Sequence, residues 1–171
     1  FLGKKMSGRL EQKHKKQLER WIGTGEKDLQ LLYSLRQNNG YNTRTFHQIC
    51  DNQGPTVTVL YNTNNSVFGG YTSKHWTSAG NYVKDDMAFL FQLRFSGNDC
   101  FSKFPVVIAR TAIYCNSGYG PTFGAYENQQ LFCRQDRHAL ETFTYGAFNF
   151  GPLSHAYSLN GYLQVNPSYD F

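Results

Sequence analysis

Cysteine is scarce. The 171 residues hold four, at positions 50, 100, 115 and 133, with no CxxC pair. That excludes a disulfide-stapled miniprotein and predicts reduced thiols, hence a cytoplasmic location. Long apolar runs are also missing, so no stretch is expected to span a bilayer and none has the layout of a signal peptide. There is no internal repeat, low-complexity tract or interdomain linker. A chain of this length without such breaks suits one domain with a sizeable core.

Several catalytic signatures are absent as well. Gly23-Thr24-Gly25-Glu26-Lys27 lacks the residue order of a phosphate loop and follows a helical pattern where a strand is needed. Gly118, Gly120 and Gly124 miss the dinucleotide-binding spacing and do not open a helix. The histidines at 14, 47, 75, 138 and 155 are scattered. Cys133 and His138 have no second close pair to complete a zinc site. Asp85-Asp86 precedes a strand-like run and reads as a turn or edge feature, not an acid/base pair. No metal, no cofactor and no enzymatic activity are expected.

What the chain has in quantity is aromatic side chains, with 14 Phe, 12 Tyr and 2 Trp. They fall mostly in alternating runs, which favours a β-rich interior. Thr56–Tyr61 and Val67–Tyr71 read as two strands of a hairpin, with Val57, Val59 and Tyr61 inward and Thr56, Thr58 and Leu60 outward. Asn62–Ser66 supplies turn chemistry. Gly69-Gly70 marks a bulge or a close approach by a backbone or large side chain. Met87–Phe95 is the clearest strand. It is apolar on both faces, so a central position is expected. Asp28–Arg36, Pro105–Tyr114, Gln129–Cys133, Gly161–Val165 and Tyr169–Phe171 read as further strands. Thr72–Lys84, Ser96–Lys103 and Asn116–Gly124 read as loops or turns. Residues 134–160 read as a shaped, aromatic loop over the sheet.

Helical periodicity is confined to two places. Ser7–Ile22 places Leu10, His14, Leu18, Trp21 and Ile22 on one face, with Ser7 as N-cap and Gly23 as stop. Residues 1–22 carry seven basic groups against two acidic ones, which equals the whole chain's net +5. The basicity is therefore a solvated helix face, and no nucleic acid is expected to bind there. Arg44–Cys50 is a second, shorter helix capped by Thr43 and burying Phe46, Ile49 and Cys50. The fold class is α+β, mainly β: a two-layer antiparallel β-sandwich with short peripheral helices, including the amphipathic N-terminal one. Phe1–Lys5, ahead of Met6, reads as an added remnant, residues 6–26 as the N-terminal helical segment and 27–171 as the β domain.

Two groups of residues are candidates for function. Lys74, His75 and Trp76 form an exposed-looking loop motif in which an amphipathic Trp either anchors a partner or folds back onto the sandwich. Cys115 and Cys133 are the candidate reactive thiols, if a distant histidine meets either in space. A glycan- or lipid-binding role would use Trp76 or the aromatic 143–157 stretch, with the basic N-terminal helix added for the lipid version.

The ordered set Gln53–Val59, Val67–Tyr71, Ala88–Leu93, Gly120–Gly124 and Gly161–Val165 resembles the successive blocks of a TLDc domain, over nearly the whole chain from Leu29 to Phe171. Leu31-Leu32-Tyr33, the helix ending at Cys50 and Asn52–Thr56 look closest to the TLDc domain of interferon-induced, microtubule-aggregate-associated proteins. Glu127–Leu131 departs from the acidic-then-Leu run that many members carry. The resemblance implies a β-sandwich without established enzymatic activity. It also implies roles in oxidative-stress resistance, V-ATPase binding or innate antiviral responses, and a GTPase-like domain following in the full-length chain.

Overall fold

The computed structural model describes residues 10–25, 29–34, 42–61, 65–124 and 140–143. In chain order the elements are α1 (Gln12–Ile22), β1 (Leu31–Ser34), α2 (Thr43–Cys50), β2 (Thr56–Tyr61), β3 (Val67–Thr72), β4 (Ala79–Val83), β5 (Phe89–Phe95) and β6 (Asn98–Pro105). A single 3-10 turn, Ala109–Thr111, leads to β7 (Ile113–Asn116), β8 (Thr122–Phe123) and β9 (Leu140–Phe143). They make a six-stranded sheet, β1-β9-β2-β3-β5-β6, and a three-stranded sheet, β4-β7-β8. Each strand pair is antiparallel. The expected mainly-β architecture with two sheets and an N-terminal helix is what the chain adopts.

The central strands of the large sheet, β2, β3 and β5, are buried on both faces, whereas the edge strand β6 is mostly exposed. Side chains alternate along a strand, so one face collects Val57, Val59 and Tyr61 from β2, Val67 and Tyr71 from β3, and Phe89, Phe91 and Leu93 from β5. Leu10 and the α1 residue Leu18 are buried against that face, and Trp21 and Ile22 are packed on it. Trp21 lies edge-on to Phe89 at 6.4 Å. The opposite face carries Tyr33, Leu90 and Phe104, packed with Phe46 and Cys50 of α2, with Trp76, and with Ile113, Cys115 and Phe123 of the small sheet. The outward-facing Thr56 and Thr58 expected from sequence are both fully buried. The alternation is real, but both of its faces are covered. β5 lies between β3 and β6, the interior position its two apolar faces imply.

Gly69 shows why the hairpin carries glycine there. It sits across from Val59 on β2 and Phe91 on β5. A Cβ on Gly69 would collide with the Thr58 carbonyl oxygen and the Phe91 ring. The absent side chain leaves that space to the Thr58 carbonyl and the Phe91 ring.

α1 is fastened as well as packed. Its N-cap is Glu11, extended and without a side-chain cap bond. The helix therefore starts at Gln12 instead of continuing from Ser7, which lies outside the described residues. The Glu11 carboxylate pairs with Arg94 of β5 and, at 3.1 Å, with Lys13. Lys13 Nζ also donates to Asp99 of β6 at 2.6 Å. At the other end Lys103 Nζ donates to the Trp21 carbonyl at 2.8 Å. Gly23, with φ +76, closes the helix by donating its N–H to the Glu19 carbonyl. Exposed pairs like these contribute little each, because water and salt screen them. Burying Leu18 contributes more, roughly 2 kcal/mol.

Several boundaries differ from the sequence reading. β6 occupies most of the expected Ser96–Lys103 turn, because Ser96 and Gly97 alone reverse the chain with φ of +46 and +85. Pro105 ends β6 instead of opening a strand. β4 lies in the expected Thr72–Lys84 loop. Its residues are mostly exposed, so no apolar alternation marks it, and a bulge between Ala79 and Asn81 uses Gly80 at φ +75. β9 lies within the expected irregular 134–160 segment. It pairs with both β1 and β2 because it completes the large sheet between them. α2 takes its cap from Asn42, whose Oδ1 accepts from Arg44 N and Thr45 N, one residue before the expected Thr43. The expected strands Gln129–Cys133, Gly161–Val165 and Tyr169–Phe171 lie outside the described residues.

Two measurements follow. Gly69→Ala is expected to lower the urea midpoint by the equivalent of about 1–3 kcal/mol through overpacking; an unchanged midpoint would show that the β2 backbone and the Phe91 ring both yield freely. His14 supplies the second. It is fully buried, its Nδ1 has no hydrogen-bond partner among the described residues, and its Nε2 lies 3.4 Å from Asp99 Oδ1. Burial holds the imidazole below its ordinary value of 6.5, with Asp99 pulling partly the other way. The unfolded chain therefore takes up this proton at higher pH than the folded one. The stability tied to neutral His14 is full above pH 6.5 and is lost as pH falls from there through the folded value. Urea midpoints measured from neutral to mildly acid pH should fall more steeply for the native chain than for His14→Leu; parallel profiles would contradict it.

Candidate functional site

One end of the sandwich is built from three loops that meet at Asp85, whose carboxylate binds the first two and whose backbone N–H binds the third. They are the segment after β3 (residues 73–78), the turn before β5 (84–88) and the stretch after β6 (106–112). Asp85 is buried there. Its Oδ2 accepts from Thr72 Oγ1 at 2.7 Å and Ser73 N at 2.6 Å, and its Oδ1 accepts from Ser73 Oγ at 2.7 Å and Met87 N at 3.0 Å. Its own N–H donates to the Ala109 carbonyl at 3.0 Å, and Val106 N donates to the Ala88 carbonyl at 2.9 Å. A buried carboxylate with four donors is fully satisfied, so Asp85 works as a fastener between loops. The Met87 contact is a local Asx turn that the sequence could have signalled. The contacts to Thr72 and Ser73, 13 and 12 residues away, could not be read from it.

The structure separates the Lys74-His75-Trp76 motif. Lys74 and His75 are exposed, whereas Trp76 is fully buried. Its ring meets Phe123 edge-on at 5.5 Å and Phe46 at 6.4 Å. Its backbone bridges to Asp51 in parallel, and its carbonyl accepts from Asn52 N at 3.0 Å. The exposed-anchor reading of Trp76 is thus corrected: the ring closes the core under the loop. The burial of so large a ring outweighs the polar neighbours that suggest a surface position. Lys74 and His75 remain at the surface, next to the Asp85 fastener.

A second polar centre lies at the far side of α2. His47, buried, sets Nδ1 2.7 Å from Asp51 Oδ1. Its Nε2 lies 2.9 and 2.8 Å from the carbonyl oxygens of Asn116 and Tyr119. Each of these neighbours only accepts, so both ring nitrogens are placed to donate. Asp51 Oδ2 also accepts from Ser78 Oγ at 2.8 Å. The set joins α2 to β4's approach and to the turn after β7. Sequence reading missed it, because residues 47, 51, 78 and 116 carry no shared motif.

The thiols next to this centre are insulated. Cys50 is fully buried, and its thiol is pushed up to about 12, by burial first and by Asp51 second. Burial also raises the thiol of Cys115, with Thr77 pulling the other way. Cys115 Sγ faces the His75 carbonyl at 4.0 Å. Neither ring nitrogen of His47 is left to act as a base toward a thiol. Cys50, Cys100 and Cys115 are free, and Cys133 lies outside the described residues. Among the described residues no group of three or more His, Cys, Asp or Glu is arranged to hold a metal ion. No helix among them is long and apolar enough to cross a membrane.

A model of the TLDc domain family matches residues 4–163, taking in α1 and every strand described above. The curated proteins contain no match to the chain.

Because Asp85 satisfies four donors, Asp85→Ala is expected to cost about 3 kcal/mol or more in urea unfolding, whereas Lys74→Ala should stay within about 0.5 kcal/mol. Equal, small effects from both would mean that the loops hold together without the carboxylate.

Proposed function

The chain belongs to the TLDc family, and on that premise we propose that it is a non-catalytic protein-interaction domain. One observation carries the reading: Asp85 and His47, the polar groups at the two loop centres, are occupied as fasteners, and the core thiols are insulated. Asp85 is saturated by four donors. Both nitrogens of His47 face acceptors, and burial raises the two core thiols. A rigid scaffold that presents loops, with no poised nucleophile, suits recognition better than turnover.

The family resemblance adds a finer proposal. The domain serves oxidative-stress resistance by binding a cytoplasmic partner, with a V-ATPase subunit the first to test. Leu31-Leu32-Tyr33 and Asn52–Thr56 favour the interferon-induced branch, with a GTPase-like domain following in the full-length protein. The sequence of that full-length chain tests this placement.

Affinity capture with the tagged native chain from peroxide-stressed cells, blotted for V-ATPase subunits, is expected to retain a protein partner. Recovery of none would overturn the interaction reading. A thiol mechanism through Cys115 is the alternative. In the folded chain, iodoacetamide is expected to label the half-exposed Cys100 well before Cys50 or Cys115. Rapid native-state labelling of Cys115 would restore the alternative.

A further inference from the structure

We propose that the loop end fastened by Asp85 is a docking tip for an anionic membrane surface. This goes beyond the protein-interaction reading and does not depend on it. The two most exposed large apolar side chains among the described residues are Val107, at 62 %, and Met87, at 60 %. Exposed apolar residues scattered singly need no explanation. These two are not scattered: each is one residue from the same hydrogen bond, Val106 N to the Ala88 carbonyl, at 2.9 Å.

Three cations sit one residue from the groups that Asp85 joins at this end. Lys84 precedes Asp85, Arg110 follows Ala109, whose carbonyl accepts the Asp85 N–H, and Lys74 follows Ser73, which donates to the Asp85 carboxylate twice. All three are exposed, as is His75. The exposed acid at this end, Asp86, pairs with Lys84 at 3.2 Å, leaving Lys74 and Arg110 without a carboxylate partner among the described ion pairs.

Apolar side chains and cations gathered on the turns that Asp85 joins match an anionic bilayer. The apolar groups enter the acyl boundary while Lys and Arg meet lipid phosphates. The basic residues of α1 are a different surface. Lys13 is tied to Asp99 and Glu11, and the helix lies along the large sheet instead of at the loop end. Asp85 makes the tip rigid before contact, which lowers the ordering cost of docking.

The test is vesicle flotation of the 171-residue chain. Vesicles are phosphatidylcholine alone or with about 30 % phosphatidylserine. Binding to the anionic vesicles only, weakened by salt, is expected. Met87→Ser/Val107→Ser and Lys74→Gln/Lys84→Gln/Arg110→Gln should each cut the bound fraction by about fivefold or more. Lys15→Gln/Lys16→Gln should leave it unchanged. Because the tip side chains are exposed, urea midpoints of these variants should match the native chain, which separates lost binding from lost folding. No flotation would overturn the proposal, as would loss confined to the α1 variant. If vesicles are not bound but the tip variants lose a captured protein, the tip contacts protein: the membrane proposal falls and the interaction reading stands. If vesicles are bound through the tip and capture finds no protein partner, the reverse holds.

Discussion

Burial of the large sheet's central strands on both faces is the constraint on which the rest of the structure depends. β2, β3 and β5 have no solvent side, so every residue on them must pack somewhere. On one face Val57, Val59, Phe89 and Phe91 need α1; on the other Leu90 and Phe104 need α2 and the small sheet. Three layers result, with the two-sheet sandwich covered on its outer side by a helix. The same constraint fixes Gly69, since the space above it belongs to Phe91. It also accounts for the aromatic richness. Rings such as Phe46, Trp76 and Phe123 fill a wide gap between a six-stranded and a three-stranded sheet, meeting edge-on at 5.5–6.4 Å.

Polar chemistry in this fold is directed to fastening. A buried carboxylate or imidazole costs least when its hydrogen-bonding capacity is filled, as it is at Asp85 and His47 and is not at His14 Nδ1. Asp85 fills it with donors from three nearby residues. His47 and Asp51 fill it with each other, with Ser78 and with two backbone carbonyls. The result is a set of loops held in place by the groups that an enzyme would keep available. Function then rests on what the held loops present, which is the basis of both the interaction reading and the docking tip.

Some of this was legible in the sequence and some was not. The β2–β3 hairpin and β5 could be read because alternation survives even when both faces are covered. α1 could be read from Leu18, Trp21 and Ile22, though its start could not. Glu11, held by Arg94 across the chain, sets that start, and long-range pairs leave no local mark. β4 was hidden because its side chains face solvent and show no period. β6 was hidden because the turn-rich Ser96-Gly97-Asn98-Asp99 run looks like a long loop, whereas two residues suffice to reverse the chain. Trp76 read two ways because lysine and histidine precede it, and the folded-back reading is the one the ring follows. The His47 centre was invisible for a simpler reason: its members come from α2, β7 and two loops, and only the fold brings them together.

α1 decides between the basic segment as a free appendage and the basic segment as a structural layer. The direct measurement is deletion of residues 1–25, followed by urea unfolding and binding of a dye that reports exposed apolar surface. The account predicts a chain that binds the dye and loses most of its unfolding transition, because Val57, Val59, Phe89 and Phe91 lose their cover. A truncated chain that stays monomeric, dye-silent and as stable as the intact one would contradict it.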